Sequence, residues 1–276
     1  ADAVLSTKIV PVTKGFDAGD RPSIVAAGDL DRGAGGGPKG ANDLVFVSRF
    51  YNDDGESVQR IQPYFGSLDG TFSTTNPAGQ KIIGQRIIDA KAPAAVLAYP
   101  LRQTLSAWMR GFETDPDLIT ANNGTGDFTV FPAKGLGVFW SEEKVKDFAV
   151  GQGPKAIAAG YLEHPIDGTA DLTEAENVLP DVVTLLSDEV VVSFSSDNVS
   201  EVSTAPEKIS YEPPVALNHQ ENGPVDLALA DVNGDAYLDI IVLNEIGSSV
   251  TVYVNLSQRR FSAPYVFPTG VGPVEL

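Results

Sequence analysis

A diverged repeat limits what this chain can fold into more than any other feature. The segments "RPSIVAAGDL" from Arg21, "APAAVLAYPL" from Ala92, "GPKAIAAGYL" from Gly153, "GPVDLALADV" from Gly223 and "GPVEL" from Gly272 each set a proline before small and β-branched residues. Those prolines, Pro22, Pro93, Pro154, Pro224 and Pro273, stand 71, 61, 70 and 49 residues apart. A second anchor follows each of the first four: Asp43, Asp117, Asp181 and Asp239 each open an apolar run ("DLVFV", "DLITA", "DVVTL", "DIIVL"). A third run comes next ("SVQRIQPYFG", "FTVFPA", "VVVSFSS", "SVTVYVNL"), and then a fourth ("KIIGQRII", "VKDFAVGQG", "ISYEPPVAL", "APYVFPTGVG").

Runs this short, bounded by turn residues, are strands. Four strands per unit are too few to bury both faces alone, so neighbouring units must stack. The expected fold is all-β: a β-propeller of four-stranded antiparallel blades covering 22–92, 93–153, 154–223 and 224–272. Residues 1–21 read as the outer strand of a preceding blade and 273–276 as the inner strand of a following one. Four whole blades with these fragments predict a piece of a larger, roughly seven-bladed ring; a compact four-bladed ring with spare ends is the alternative.

Composition narrows the function classes. The 27 Gly and 19 Pro suit many turns, and the net charge of −18 opposes phosphate backbones and anionic lipid, so no nucleic-acid partner is expected. The absence of Cys excludes disulfides and thiolate chemistry. No apolar run reaches the roughly 20 residues that span a bilayer, so no membrane insertion is expected. The start "ADAVLSTKIV" lacks the regions of a signal peptide and reads as a processed end or an artificial boundary.

In "DVNGDAYLD" the spacing places Asp231, Asn233, Asp235, the Tyr237 carbonyl and Asp239 where oxygens can turn to one side of a tight loop. Hard oxygen donors in a flexible loop suit Ca²⁺. The same residues also suit an Asx-rich turn held by its own backbone. An EF-hand is excluded, because its twelfth position falls on Val242 inside a strand.

The motif and the blade pattern together resemble the FG-GAP or VCBS repeat family, whose blades are similar to those of integrin α-chain propellers. This chain departs from the family's D-x-D/N-x-D-G-x-x-D only at Ala236, where the family usually has Gly. The resemblance implies a structural Ca²⁺ on the propeller rim. It also implies a secreted or cell-surface binding or adhesion module for glycan or protein. A weaker second Ca²⁺ site would use Asp29, Asp31 and Asp43 of the first blade, although a Gly-rich insertion separates them. The third blade offers Asp167, Thr169 and Asp171, which read better as part of a capping box running to Glu174.

Long connections at Arg32 to Ala41, Gln103 to Asp115 and Glu163 to Leu179 occupy the same position in three consecutive blades and should share one rim. An alternative function is a polysaccharide lyase or hydrolase, for which His164, His219, Tyr161 and Tyr211 are the candidates. Another is a structural subunit of an extracellular assembly, or one part of a longer propeller.

Overall fold

The computed structural model describes residues 20–30, 43–51, 55, 57–67, 71–82, 84–87, 91–105, 115–139, 144–167, 178–196 and 208–276. The first sheet holds β1 (Asp20–Gly28), β2 (Asp43–Tyr51) and β3 (Ser57–Gly66), with β4 (Phe72–Ser73) and β5 (Gln85–Ile87) both on β3. The second runs β6 (Pro93–Tyr99), β7 (Asp117–Asn122) and β8 (Asp127–Phe131). After the hairpin of β9 (Ala133–Gly135) and β10 (Val138–Phe139) it closes with β11 (Lys146–Ala149). The third is β12 (Ala156–Gly160), β13 (Asp181–Leu185), β14 (Val190–Ser193) and β15 (Val215–Leu217). The fourth is β16 (Pro224–Ala230), β17 (Asp239–Asn244), β18 (Ser249–Tyr253) and β19 (Tyr265–Pro268).

All pairings are antiparallel, and the first strands lie side by side in the order β1, β6, β12, β16. The chain is thus all-β, with successive antiparallel meanders in a propeller-like arrangement. Of the strand runs read from Pro22 onward, each appears among the described residues except the last: Gly272–Leu276 forms no ladder, although the Leu276 N–H donates to Asp226 Oδ2 of β16 at 2.9 Å. Residues 1–19 lie outside the described part. None of the described helices is long and apolar enough to cross a membrane, which says nothing of a β-barrel.

The second strand of each middle sheet, β7 and β13, is buried on both faces because it is covered from both sides. Leu118 packs with Val45 and Val47 of the first sheet, whereas the next residue, Ile119, packs with Val182 and Val191 of the third. Val183 and Leu185 then join Ile240, Val242 and Tyr253 of the fourth. This continuous burial replaces the alternation expected of a sheet with one wet face. The outer strands are blunted by proline: Pro213 and Pro214 precede β15, and Pro264 and Pro268 bracket β19, removing N–H donors from the exposed edges.

Phe128 is fully buried between the second and third sheets, its ring 5.0 Å from Phe148 and 5.3 Å from Tyr211. Phe128→Ala should therefore destabilise by about 3–5 kcal/mol, the usual cost of an aromatic-sized cavity, read as a fall in the urea midpoint at constant slope.

Candidate functional site

The connection from first to second strand leaves each sheet at the same register. Gly28 pairs with Asp43, Tyr99 with Asp117, Gly160 with Asp181 and Ala230 with Asp239, so all four connections emerge from one rim. The four aspartates that close these pairs are fully buried.

Each carboxylate bridges two backbone N–H groups. The first donor is the residue eight positions after the repeat proline: Leu30 to Asp43 at 2.7 Å, Leu101 to Asp117, Leu162 to Asp181 at 3.0 Å and Val232 to Asp239 at 3.0 Å. The second lies at the end of the third strand: Gly66 at 2.8 Å, Ala133 at 2.7 Å, Ser195 at 2.8 Å and Asn255 at 2.8 Å. A carboxylate is the one side chain with two acceptor oxygens and no donor, which explains why this position repeats as Asp.

This geometry changes the reading of two expected ligands. Asp43 and Asp239 have both oxygens engaged by backbone N–H groups, which makes them staples of the fold. Asp29 is buried beside the first staple, and Asp31 lies outside the described residues.

The remaining loop is organised from within. The N–H groups of Gly234 (2.7 Å) and Asp235 (3.3 Å) donate to Asp231 Oδ1, and that of Ala236 (2.9 Å) donates to Oδ2. Asn233 Oδ1 accepts from the Asp235 N–H at 2.8 Å and its amide donates to Asp235 Oδ2 at 2.9 Å. Desolvation, the largest single influence, acts to raise the Asp231 carboxyl, but the backbone N–H groups together outweigh it and hold the carboxyl below its ordinary value. Among the described residues, no three acidic or histidine side chains are grouped so that they could hold a metal. In donor type the loop fits a hard cation. In number it offers two carboxylates, one amide oxygen and the Tyr237 carbonyl, so water would have to complete the shell.

Ala236 sits at φ 70°, the left-handed conformation for which the motif's usual Gly is suited. The loop keeps its shape at the cost of that strain, with the Ala236 carbonyl accepting from the Ile166 N–H at 2.8 Å.

Bonds of this kind join the connections to one another and to neighbouring turns around the rim. The Leu30 carbonyl accepts from the Gly137 N–H at 2.9 Å, the Val178 carbonyl from the Leu105 N–H at 2.9 Å, and the Gln103 carbonyl from the Tyr161 hydroxyl at 2.9 Å. The Leu162 carbonyl accepts from the Asn255 amide at 2.7 Å. Two described cationic groups of the rim, which the sequence did not single out, are internal clamps. Arg102 grips Asp117 through Nε at 3.0 Å and Nη2 at 2.7 Å and reaches the Ala133 carbonyl at 2.7 Å. Arg259 holds Glu163 and Glu212 while lying 4.8 Å over the Phe194 ring.

The candidates for lyase chemistry do not converge. His164 belongs to the rim connection after β12, whereas His219 bonds Asn244 at the opposite end of the fourth sheet. Tyr161 is spent on Gln103, and Tyr211 is wedged edge-on against Phe128 and Phe148. Of the run Asp167, Thr169 and Asp171, only Asp167 is described, and the capping box lies outside the described residues.

No family profile matches the chain, and no curated protein sequence matches it. Solved structures do. A functionally unknown protein from Desulfotomaculum acetoxidans matches at TM-score 0.45 with 13% identity, over 94% of this chain and 72% of its own. The periplasmic gluconolactonase of Pseudomonas aeruginosa matches at 0.45 with 12% identity, over 83% and 55%. An Agrocybe aegerita lectin that recognises non-reducing terminal N-acetylglucosamine matches at 0.41 with 18% identity, over 86% and 54%.

Burial pushes the Asp181 carboxyl up to about 7, against its Ser195 N–H bond and with the help of Glu163. A carboxyl raised in the folded state favours folding while protonated. That contribution is full below the ordinary carboxylate value and is lost as the pH rises through about 7. Asp181→Asn removes the titration and faces one N–H with an amide donor, costing about 1–3 kcal/mol in acid. The gap between wild type and variant should then narrow by on the order of 1 kcal/mol per pH unit toward neutrality. A gap that does not change with pH in urea titrations would refute this. Ala236→Gly should stabilise by about 1 kcal/mol by relieving the left-handed strain, measured the same way.

Proposed function

We propose that this chain is a non-enzymatic, secreted or cell-surface binding module, part of a larger and roughly seven-bladed propeller, that presents its rim to a glycan partner. The observation that supports this reading is the common register of the four rim connections, fixed by the buried aspartates and tied to their surroundings through backbone carbonyls. Such a platform holds variable loops rigidly, which is how scaffolds carry recognition. The acidic surface suits neutral or cationic ligands better than polyanions.

Ca²⁺ belongs to the same proposal, held by Asp231, Asn233, Asp235 and the Tyr237 carbonyl, with Asp239 shaping the loop. The ion would contribute local rigidity and no chemistry.

Two measurements test the reading. A glycan array should return a defined sugar class; a blank array would overturn the reading. Ca²⁺ should raise the melting temperature of the wild type and leave Asp235→Ala unmoved, while Asp239→Ala should melt lower with or without the ion. A wild-type curve indifferent to EGTA would remove the metal.

A further inference from the structure

At the end of the second sheet opposite the rim, a lysine, an asparagine and a carboxylate are drawn together out of water. Asn122 closes β7 and pairs with Asp127, which opens β8; Thr129 stands two residues further on and so shares the face of Asp127. Lys91 reaches this face from the segment before β6. Its backbone is pinned to the β7–β8 turn, because the Lys91 and Ala92 carbonyls accept the Gly124 and Asn123 N–H groups at 2.9 and 3.1 Å. Ala92 pays for that placement with φ 42°, a strained value for a residue other than glycine. Asn122 and Thr129 are fully buried, and Lys91 is only 9% exposed.

Two oxygens hold both side-chain nitrogens. Thr129 Oγ1 donates to Asp147 Oδ1 at 2.7 Å and accepts from Lys91 Nζ at 3.0 Å and from Asn122 Nδ2 at 2.7 Å, which uses its whole capacity. Asp127 Oδ1 accepts from the same Asn122 Nδ2 at 2.6 Å and from Lys91 Nζ at 3.5 Å. Asp147 Oδ1 lies 2.7 Å from Nζ as well. Asn122 Oδ1, by contrast, is buried with no partner among the described residues. The same register of the fourth sheet shows a wholly structural asparagine: Asn244 spends its oxygen on His219 and its nitrogen on Ser249 and Thr251. Asn122 instead keeps its carbonyl unengaged while an amine and a carboxylate are fastened beside its amide nitrogen. A buried orphan of this kind calls for a chemical reason.

We propose that Lys91 and Asn122 join in an intramolecular isopeptide bond that the folded protein makes for itself, with Asp127 as the proton carrier. Nζ passes one proton to Asp147 Oδ1 and attacks Asn122 Cγ, forming the C–N bond and pushing the carbonyl pair onto Oδ1. A second proton leaves Nζ for Asp127 Oδ1, which touches both nitrogens and hands it to Nδ2. The carbonyl re-forms, the Cγ–Nδ2 bond breaks, and ammonia departs, taking up the proton left on Asp147 to become ammonium. An ammonium and a primary amide thus become a secondary amide and an ammonium ion, with no oxidant or cofactor. The chain has no cysteine, so this bond is a covalent brace that a disulfide could not supply. It would fasten the lead-in of the second sheet to the β7–β8 hairpin and restrict the unfolded chain as any cross-link does.

Intact-mass spectrometry of the purified, folded chain tests it. The wild type should weigh one ammonia less than its sequence, and a digest should yield a branched peptide joining Lys91 to Asn122. Lys91→Arg and Asn122→Ala should both keep the full mass. Asp127→Asn, checked for a native strand spectrum by circular dichroism, should slow the loss by about a hundredfold or more, the usual worth of a positioned proton-transfer group. A wild type that stays at full mass after prolonged incubation would overturn the proposal without recourse to any variant. So would an ammonia loss that survives Lys91→Arg, which would mark a succinimide, or a bond that forms in folded Asp127→Asn at the wild-type rate.

Discussion

The structure depends on a carboxylate buried between two backbone N–H groups, repeated in every sheet. At this corner the first strand has just ended, the second is about to begin and the third is finishing, so several backbone groups lose their ladder partners together inside a dry environment. An orphaned N–H there would cost about 1–3 kcal/mol. One aspartate satisfies a donor from each side and ties the first and third strands to the second. Burial has its own cost, visible in the raised carboxyls of Asp117 and Asp181, the two staples of the middle sheets. Arg102 offsets that cost for Asp117 directly; among the described residues Asp181 has no cation in contact, and Arg259 acts on it only from a distance.

Much of this frame was legible in the sequence. The proline, the leucine or valine eight residues on, and the aspartate that opens the next run form one spacing pattern, and the structure shows its chemical reason: the backbone of the second residue donates to the third. Strand identity was legible for the same cause, since covered strands are apolar throughout. The job of the aspartate was not. In "DVNGDAYLD" Asp239 looks like a ninth-position ligand because the same residue type suits a metal cage and a backbone staple. The copies at Asp117 and Asp181, where no cage motif survives, were the available signal that the position serves the fold. Arg102 and Arg259 could not be singled out, because their partners lie across connections of variable length.

Alternating faces carry the argument outward to the last sheet. Ile240, Val242 and Tyr253 are taken up by the third sheet, while Ile241, Leu243, Val250 and Val252 share the opposite face with Tyr265 and Phe267, which are 55% and 53% exposed. Those residue types match the ones that cover the next sheet at each earlier interface. A repeat that writes the same face into every unit writes it also where no described sheet follows. The exposed aromatics of β19 therefore reflect the logic of stacking.

The staples also explain why the rim can vary so freely. The connection from Ala230 to Asp239 is short and that from Gly160 to Asp181 is more than twice as long, yet both close on the same pair of N–H bonds. Lengthening a flexible loop by that ratio adds only about 0.8 kcal/mol of closure entropy. Each staple accepts two backbone hydrogen bonds, about 0.5–1.5 kcal/mol apiece, so the anchor outweighs the added closure entropy of the longer loop. Residues inserted between the two anchor points do not have to contribute to folding. For that reason the fold could be read from its repeated positions, while the segments between those positions are under no such constraint.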